Sequence, residues 1–212
     1  MSSTHHYKSN LRDVLFNLFE CLDIGRQTLG KAPFQSLDRT RILRALDDLG
    51  FKWPGKLEVL EQVDSTNLEL LRQAQAGAAG GRVCVAEAQT DGRGRRGRGW
   101  VATPYRNILF SIAWRFEAGS ALIGGLSLAA GVAVLRALRA LGVDGAALKW
   151  PNDIVWEGRK LAGLLIDVRG ESAGPMLAVV ATSEVQAGLV DASGQGTLQT
   201  AFAVDQLVRH PA

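Results

Sequence analysis

The stretch "AALKWPNDIVWEGRKLAGLLIDV", residues 146–168, decides the architecture. It holds three short apolar runs, "AALKW", "DIVW" and "KLAGLLIDV", and a fourth, "MLAVVA", follows at 176–181. Each run has strand length, and the breaks between them carry turn residues, of which "EGRK" is the clearest hairpin signal. Strands that arrive in runs with few helices between them predict an α+β fold and not a doubly wound sheet. The expected form is a mixed, mainly antiparallel sheet flanked by helices.

Working outward, "RVCVAEA" and "NILFSIAW" read as two more strands, and "KLEVLEQV" alternates like a third. A long amphipathic helix is predicted from about Gly125 to Leu141, with Leu128, Leu135, Leu138 and Leu141 toward the core. "SLDRTRILRALDDLG" predicts a short helix stopped by Gly50. "DSTNLELLRQAQAG" predicts a second helix, in which Thr66 and Glu69 stand at capping-box spacing. Residues 1–37 separate from the rest: "LRDVLFNLFECLDIG" has helical periodicity and "GKAPFQS" reads as a linker. The main domain is expected over 38–182, with residues 183–212 as a loosely ordered tail.

The 212 residues carry 24 Lys and Arg against 21 Asp and Glu, a net charge of +3, so any strongly basic feature is local. Cys21 and Cys84 lack the spacing of a zinc site or a disulfide framework. His5 and His6 have no partners at ligand spacing. The N-terminus lacks a secretory h-region, and no run of 18 uncharged apolar residues follows. A cytoplasmic protein without a membrane partner is expected.

The local basic feature is "DGRGRRGRGW", residues 91–100. Glycines let the backbone approach a ligand, and Arg93, Arg95, Arg96 and Arg98 offer planar forks that match phosphate oxygens. The spacing is neither a Walker A loop nor a dinucleotide fingerprint. Phosphate binding, an arginine-rich nucleic-acid contact and a solvated loop all stay open on charge pattern alone. In "KWPND", Pro151 breaks a strand, and Asn152 and Asp153 read first as turn residues bonding their own backbone. Lys149 there is alternatively a point charge for phosphate, and Asp153 an acceptor for a metal-bound water or an amine proton. Lys160 reads as a hairpin lysine in solvent or as a cation for a ligand carboxylate. "DSTN" needs no role beyond its cap, and Gln89 alone reads as a surface residue.

In order, "DSTN", "AEAQTDGRGRRGRGW", "NILFSI", "LSLAAGVAV", "LKWPND" and "RKLAGLLID" resemble the signature segments of the biotin protein ligases, a superfamily shared with lipoate ligases. The resemblance covers roughly residues 38–180. It implies the catalytic-domain fold that this family shares with class II aminoacyl-tRNA synthetases. It also implies activation of biotin with ATP and Mg2+, then transfer to a lysine of the biotin carboxyl carrier protein of acetyl-CoA carboxylase.

By the same resemblance, the loop closes over biotin and ATP, with Arg93, Arg95 and Arg96 on the phosphates and Arg95 retaining the adenylate. Ser65, Thr66, Asn67 and Gln89 would bond the ureido head. Gly92, Leu161 and Gly163 would line the ring and tail, with Gly97 and Trp100 also against the ligand. Lys160 would hold the reacting carboxylate, and Lys149, Asn152 and Asp153 would serve ATP, magnesium and the incoming amine. No residue is assigned as a dedicated metal ligand.

The pattern departs at both ends. "LAVVATSEVQAGLVDASGQGTLQT" stands where the family has a Gly-Ile-Gly-x-Asn-like segment, and no C-terminal β-barrel follows, so the catalytic domain is expected to be C-terminally truncated. Residues 1–37 do not resemble a winged helix-turn-helix, and no DNA-binding domain is expected. A lipoate or octanoate ligase, a non-catalytic biotin binder and an arginine-rich nucleic-acid binder are the competing readings.

Overall fold

The runs of 146–181 do pair with one another, each turn laying a strand beside its predecessor. The computed structural model describes residues 14, 16–18, 36–51, 53, 55–78, 80–105, 107–116, 125–140, 143–170 and 176–184. Helix α1 (Arg39–Asp48) is capped by the Asp38 carboxylate, which accepts from the Arg41 N–H at 2.7 Å. There follow β1 (Lys56–Val63), α2 (Thr66–Gln75), β2 (Arg82–Gln89), the two-residue strands β3 (Gly92–Arg93) and β4 (Gly99–Trp100), and β5 (Leu109–Phe116). Helix α3 (Leu126–Ala140) precedes β6 (Ala147–Lys149), β7 (Asp153–Trp156), β8 (Arg159–Gly170) and β9 (Met176–Glu184).

Seven strands form one sheet in the order β1-β2-β5-β9-β8-β7-β6. Only β1 and β2 run parallel, because α2 carries the chain between them. The other neighbours are antiparallel, so the sheet is mixed and mainly antiparallel, as the strand runs imply. Between β7 and β8, Glu157 (φ 49°) and Gly158 (φ 75°) make the left-handed two-residue turn that "EGRK" signals.

Alternation along the strands gives the sheet two apolar faces. Leu70 and Leu71 of α2 pack on Cys84, Ala113 and Val179 of one face. Burial there pushes the Cys84 thiol up to about 12. On the other face, Ile42 and Leu46 of α1 and Ala133, Val134, Ala137 and Leu138 of α3 cover Val85, Phe110, Ile112, Leu164 and Val180. Val14 and Leu18 are buried in this same cluster, so these side chains of the segment that the sequence sets apart pack on the main core.

Helix α3 corrects the expected core face. Leu138 is buried and Leu135 half-buried, but Leu128 is 56% exposed, and Leu141 lies outside the described residues. The sheet-facing stripe is Ala130, Gly131, Ala133, Val134 and Ala137. Leucines dominate a hydrophobicity pattern, yet here small side chains bring the helix close: a Cβ on Gly131 would stand 2.8 Å from Leu148 Cδ2. Of the expected tail, residues 185–212 lie outside the described residues.

Candidate functional site

The arginine segment folds into a small ribbon. Strands β3 and β4 pair Gly92 with Trp100 and Arg93 with Gly99, and the Gly94 N–H donates to the Arg98 carbonyl at 2.8 Å. The tip turns through Arg96 (φ 59°) and Gly97 (φ 72°), both left-handed. All four arginines are exposed. Gly92 is required for close approach, since a Cβ there would lie 2.4 Å from the Trp100 carbonyl oxygen and 3.2 Å from Gln89 Nε2.

The "KWPND" turn joins β6 to β7, with Lys149 and Asp153 in register across it. Asn152 does not spend its side chain on its own turn. Its Nδ2 donates to the Leu164 carbonyl at 2.8 Å, the Leu164 N–H returns to the Asn152 carbonyl at 2.9 Å, and its Oδ1 accepts from Arg95 Nη1 at 2.9 Å. Asp153 likewise reaches across, accepting from Lys160 Nζ at 2.7 Å. Ser127 Oγ, on the first turn of α3, donates to the Pro151 carbonyl at 2.9 Å.

Lys160 is therefore no solvated hairpin lysine. Its ammonium sits 4.8 Å above the Trp100 ring centroid as well as on Asp153. Gly163 makes room for this stack: a Cβ there would lie 2.8 Å from Trp100 Cη2 and 3.1 Å from Lys160 Cε. These groups border one cavity of about 490 Å³, lined among others by Arg93, Arg95, Arg96, Trp100, Asn152, Asp153, Lys160 and Gly163. Leu165 and Ala181 line it from the sheet face that α2 also packs on. Lys149 is exposed and Leu161 is buried in the core, and neither lines the cavity. Gly97 lies at the exposed tip of the ribbon.

The head of α2 supplies a second, uncharged group. Ser65, Thr66 and Asn67 are 1–2% exposed. The expected capping box does not form: Ser65 occupies the N-cap without a side-chain cap bond, and Glu69 bonds Arg72 and Gln73. The reason is tertiary. Gln89 Oε1 accepts from the Thr66 N–H at 2.8 Å and from its hydroxyl at 3.2 Å, and Thr66 Oγ1 lies 2.9 Å from Ser111 Oγ. Gln89 is thus no surface residue. Both polar atoms of the Asn67 side chain are buried without a partner, as is Trp100 Nε1. An unmade bond of this kind costs about 1–3 kcal/mol, a cost that a partner reaching these atoms would relieve. Gly92, wedged between Gln89 and Trp100, joins this neutral group to the arginine ribbon. Ser111 was not among the expected residues; its one local signal is a hydroxyl inside the apolar strand "NILFSIAW".

The residues matched by the Biotin/lipoate A/B protein ligase family are 59–182. The chain is 43% identical over 140 residues to the bifunctional ligase/repressor BirA of Salmonella typhimurium, covering 66% of this chain and 42% of that protein. It is 44% identical over 137 residues to the biotin–[acetyl-CoA-carboxylase] ligase of Mycobacterium tuberculosis, covering 62% and 51%. The chain thus spans about half the length of these relatives, or less. Among solved structures it resembles the Leishmania major biotin protein ligase in complex with biotinyl-5-AMP, at a TM-score of 0.56 and 25% identity over 73% of this chain and 65% of that one. The Aquifex aeolicus biotin protein ligase in complex with biotin and ATP gives 0.51 and 25% over 72% and 65%.

Proposed function

From a chain that belongs to the biotin/lipoate A/B protein ligase family, we propose a biotin protein ligase, which activates biotin with ATP and transfers it to a lysine of a biotin carboxyl carrier domain. The observation that carries the reading is the meeting of Arg95 with Asn152 and of Lys160 with Asp153 around one cavity. The arginine ribbon and the segment 152–160, 57 residues apart at Arg95 and Asn152, meet there with groups suited to a charged acyl phosphate.

In this reading the neutral group takes the ureido head of biotin. Asn67 offers a donor and an acceptor, and Ser65, Thr66 and Gln89 complete a polar lining that excludes water. The apolar tail runs past Gly92, Trp100 and Gly163 toward Lys160, which exchanges Asp153 for the biotin carboxylate. A carboxylate oxygen then attacks the α-phosphorus of ATP in line, and the bond to the pyrophosphate oxygen breaks. Arg93, Arg95 and Arg96 neutralise charge developing on the phosphates, the kind of fixed electrostatic support that dominates such catalysis. Asn152 anchors Arg95, and Lys149 contributes long-range positive charge from the base of the turn.

In the second step an acceptor lysine, as the free amine, attacks the acyl carbon. A C–N bond forms, the C–O bond to AMP breaks, and Asp153 takes the proton. Magnesium enters with ATP. Among the described residues no three His, Cys, Asp or Glu cluster, and one carboxylate beside Asn152 fits a cation held chiefly by phosphates and water. There it would neutralise phosphate charge.

No described helix is long and apolar enough to cross a membrane. The reading places the enzyme in the cytoplasm, where ATP and the carrier protein of acetyl-CoA carboxylase are present. The test is biotin-dependent ATP–pyrophosphate exchange by the purified 212-residue chain, with lipoate as a control acid. Exchange with biotin alone is expected. No exchange above a biotin-free blank would sink the assignment.

A further inference from the structure

Four of the five tryptophans, Trp53, Trp100, Trp114 and Trp156, are half-buried, but Trp150 is 85% exposed. A tryptophan held in open water forfeits a large burial gain, and this residue type is enriched at interfaces. Its position adds meaning. Trp150 stands at the rim of the cavity that holds Lys160 and Asp153.

The turn beneath it is fastened on two sides. Ser127 holds the Pro151 carbonyl, and Asn152 is bonded through both side chain and backbone to Leu164. The indole therefore projects from a rigid base, which lowers the ordering cost of any contact it makes. Leu128, one residue beyond Ser127 on α3, is also exposed. Arg98, exposed on the same rim, has no ion pair or hydrogen bond of its side chain with another described residue.

We infer that Trp150 is the apolar anchor on which the lysine-bearing acceptor protein docks. The inference rests on the ligase reading and adds the place and chemistry of the partner. A lysine side chain reaches only its own length, so the acceptor surface around it must come down onto the cavity rim. The partner that fits carries an apolar side chain next to its lysine, to cover the indole, and an acidic one to meet Arg98. Tryptophan and arginine are the side chains in which interface hot spots are enriched.

Three rates measured on Trp150→Ala and Trp150→Phe in the full chain test this. They are biotin-dependent pyrophosphate exchange, biotin transfer to the carrier domain of acetyl-CoA carboxylase, and transfer to hydroxylamine as a small nucleophile. Trp150→Ala is expected to lower kcat/KM for the carrier domain at least tenfold through KM, with exchange and hydroxylamine transfer unchanged, and Trp150→Phe to recover most of the loss. Carrier transfer at the wild-type rate overturns the docking role. So does a parallel fall in exchange, which would put the indole on the nucleotide. Absence of exchange in the wild-type chain would remove the ligase reading and docking together, whereas the first two results remove docking alone.

Discussion

Ser65, Thr66 and Asn67 at the head of α2 are almost fully buried, whereas Arg93, Arg95, Arg96 and Arg98, beginning four residues after Gln89, all lie in solvent. Neutral hydroxyls and amides can be sealed in an interior when they bond one another, as Thr66, Gln89 and Ser111 do. Guanidinium groups cannot, because an unpaired buried charge costs far more than an unpaired amide. The contrast bears on how the two regions would bind the proposed substrates. In the proposed reading the buried region is built before the ligand arrives and would discriminate its shape. Among the described residues these arginines have one side-chain hydrogen bond, Arg95 to Asn152, and in the proposed reading they would take their remaining partners from a polyanion.

The severest test of that contrast is Lys160→Ala, at the residue that the proposed reading sets against the reacting carboxylate. Exchange is expected to fall about 1000-fold, the scale of losing one preorganised electrostatic group. The fold stays intact because Leu161 and Leu164, not Lys160, are buried in the core. A melting temperature lowered as far as by a core truncation, or wild-type exchange, would erase the distinction.

The buried region is probed by Asn67→Leu, with opposite signs for binding and stability. Loss of the two unpaired polar atoms should raise Tm, while biotin affinity falls about 10- to 100-fold. Calorimetry on the same preparation reads both. Lower affinity with lower Tm would mean that Asn67 is already satisfied without ligand.

A smaller effect is expected from Arg95→Gly. One charge-assisted bond is worth about 1.5–3 kcal/mol, so the adenylate should escape about tenfold or more faster and label bystander lysines while exchange continues. Unchanged labelling selectivity would show that the ribbon does not retain the intermediate.

The smallest effect lies outside both regions. The hydrogen bonds from Arg72 hold the Asp64 carboxyl at about 2, below the ordinary carboxylate range. A depressed folded-state pKa contributes stability that is complete above about pH 4 and is lost as pH falls toward 2. Both side chains are well exposed, so the contribution is about 0.5 kcal/mol. Arg72→Met should move the Asp64 titration, followed by NMR, up toward the ordinary value without affecting biotin binding. A change in biotin affinity would tie this surface pair to the buried region.

Elements were legible where the information is local. "KLEVLEQV" alternates and forms β1 at Lys56–Val63, and "EGRK" carries a residue pair that accepts positive φ. The arginine segment, "KWPND" and "RKLAG" could be picked out as polar interruptions of apolar runs, and their order suggested the family. What each side chain does was not legible. Thr66 and Glu69 satisfy the spacing of a capping box, yet Thr66 turns to partners 23 and 45 residues away. Asn152 and Asp153 have the composition of a self-bonded turn, yet they hold Arg95 and Lys160. Leu128 outweighs Ala133 in any hydrophobic pattern, yet the alanine faces the sheet.

Backbone preferences act over a few residues, and the chain's own order of apolar, glycine and proline positions suffices to set strands, turns and helix ends. Polar side chains choose among all groups within reach. That reach is set by the register of β2, β5, β9 and β8, in which Cys84, Ser111, Ala181 and Leu165 fall in one row across the sheet. Ser111 comes to Thr66, and Arg95 to Asn152, only when the sheet has assembled, because hydrogen bonds are short and these partners lie 45 and 57 residues apart along the chain.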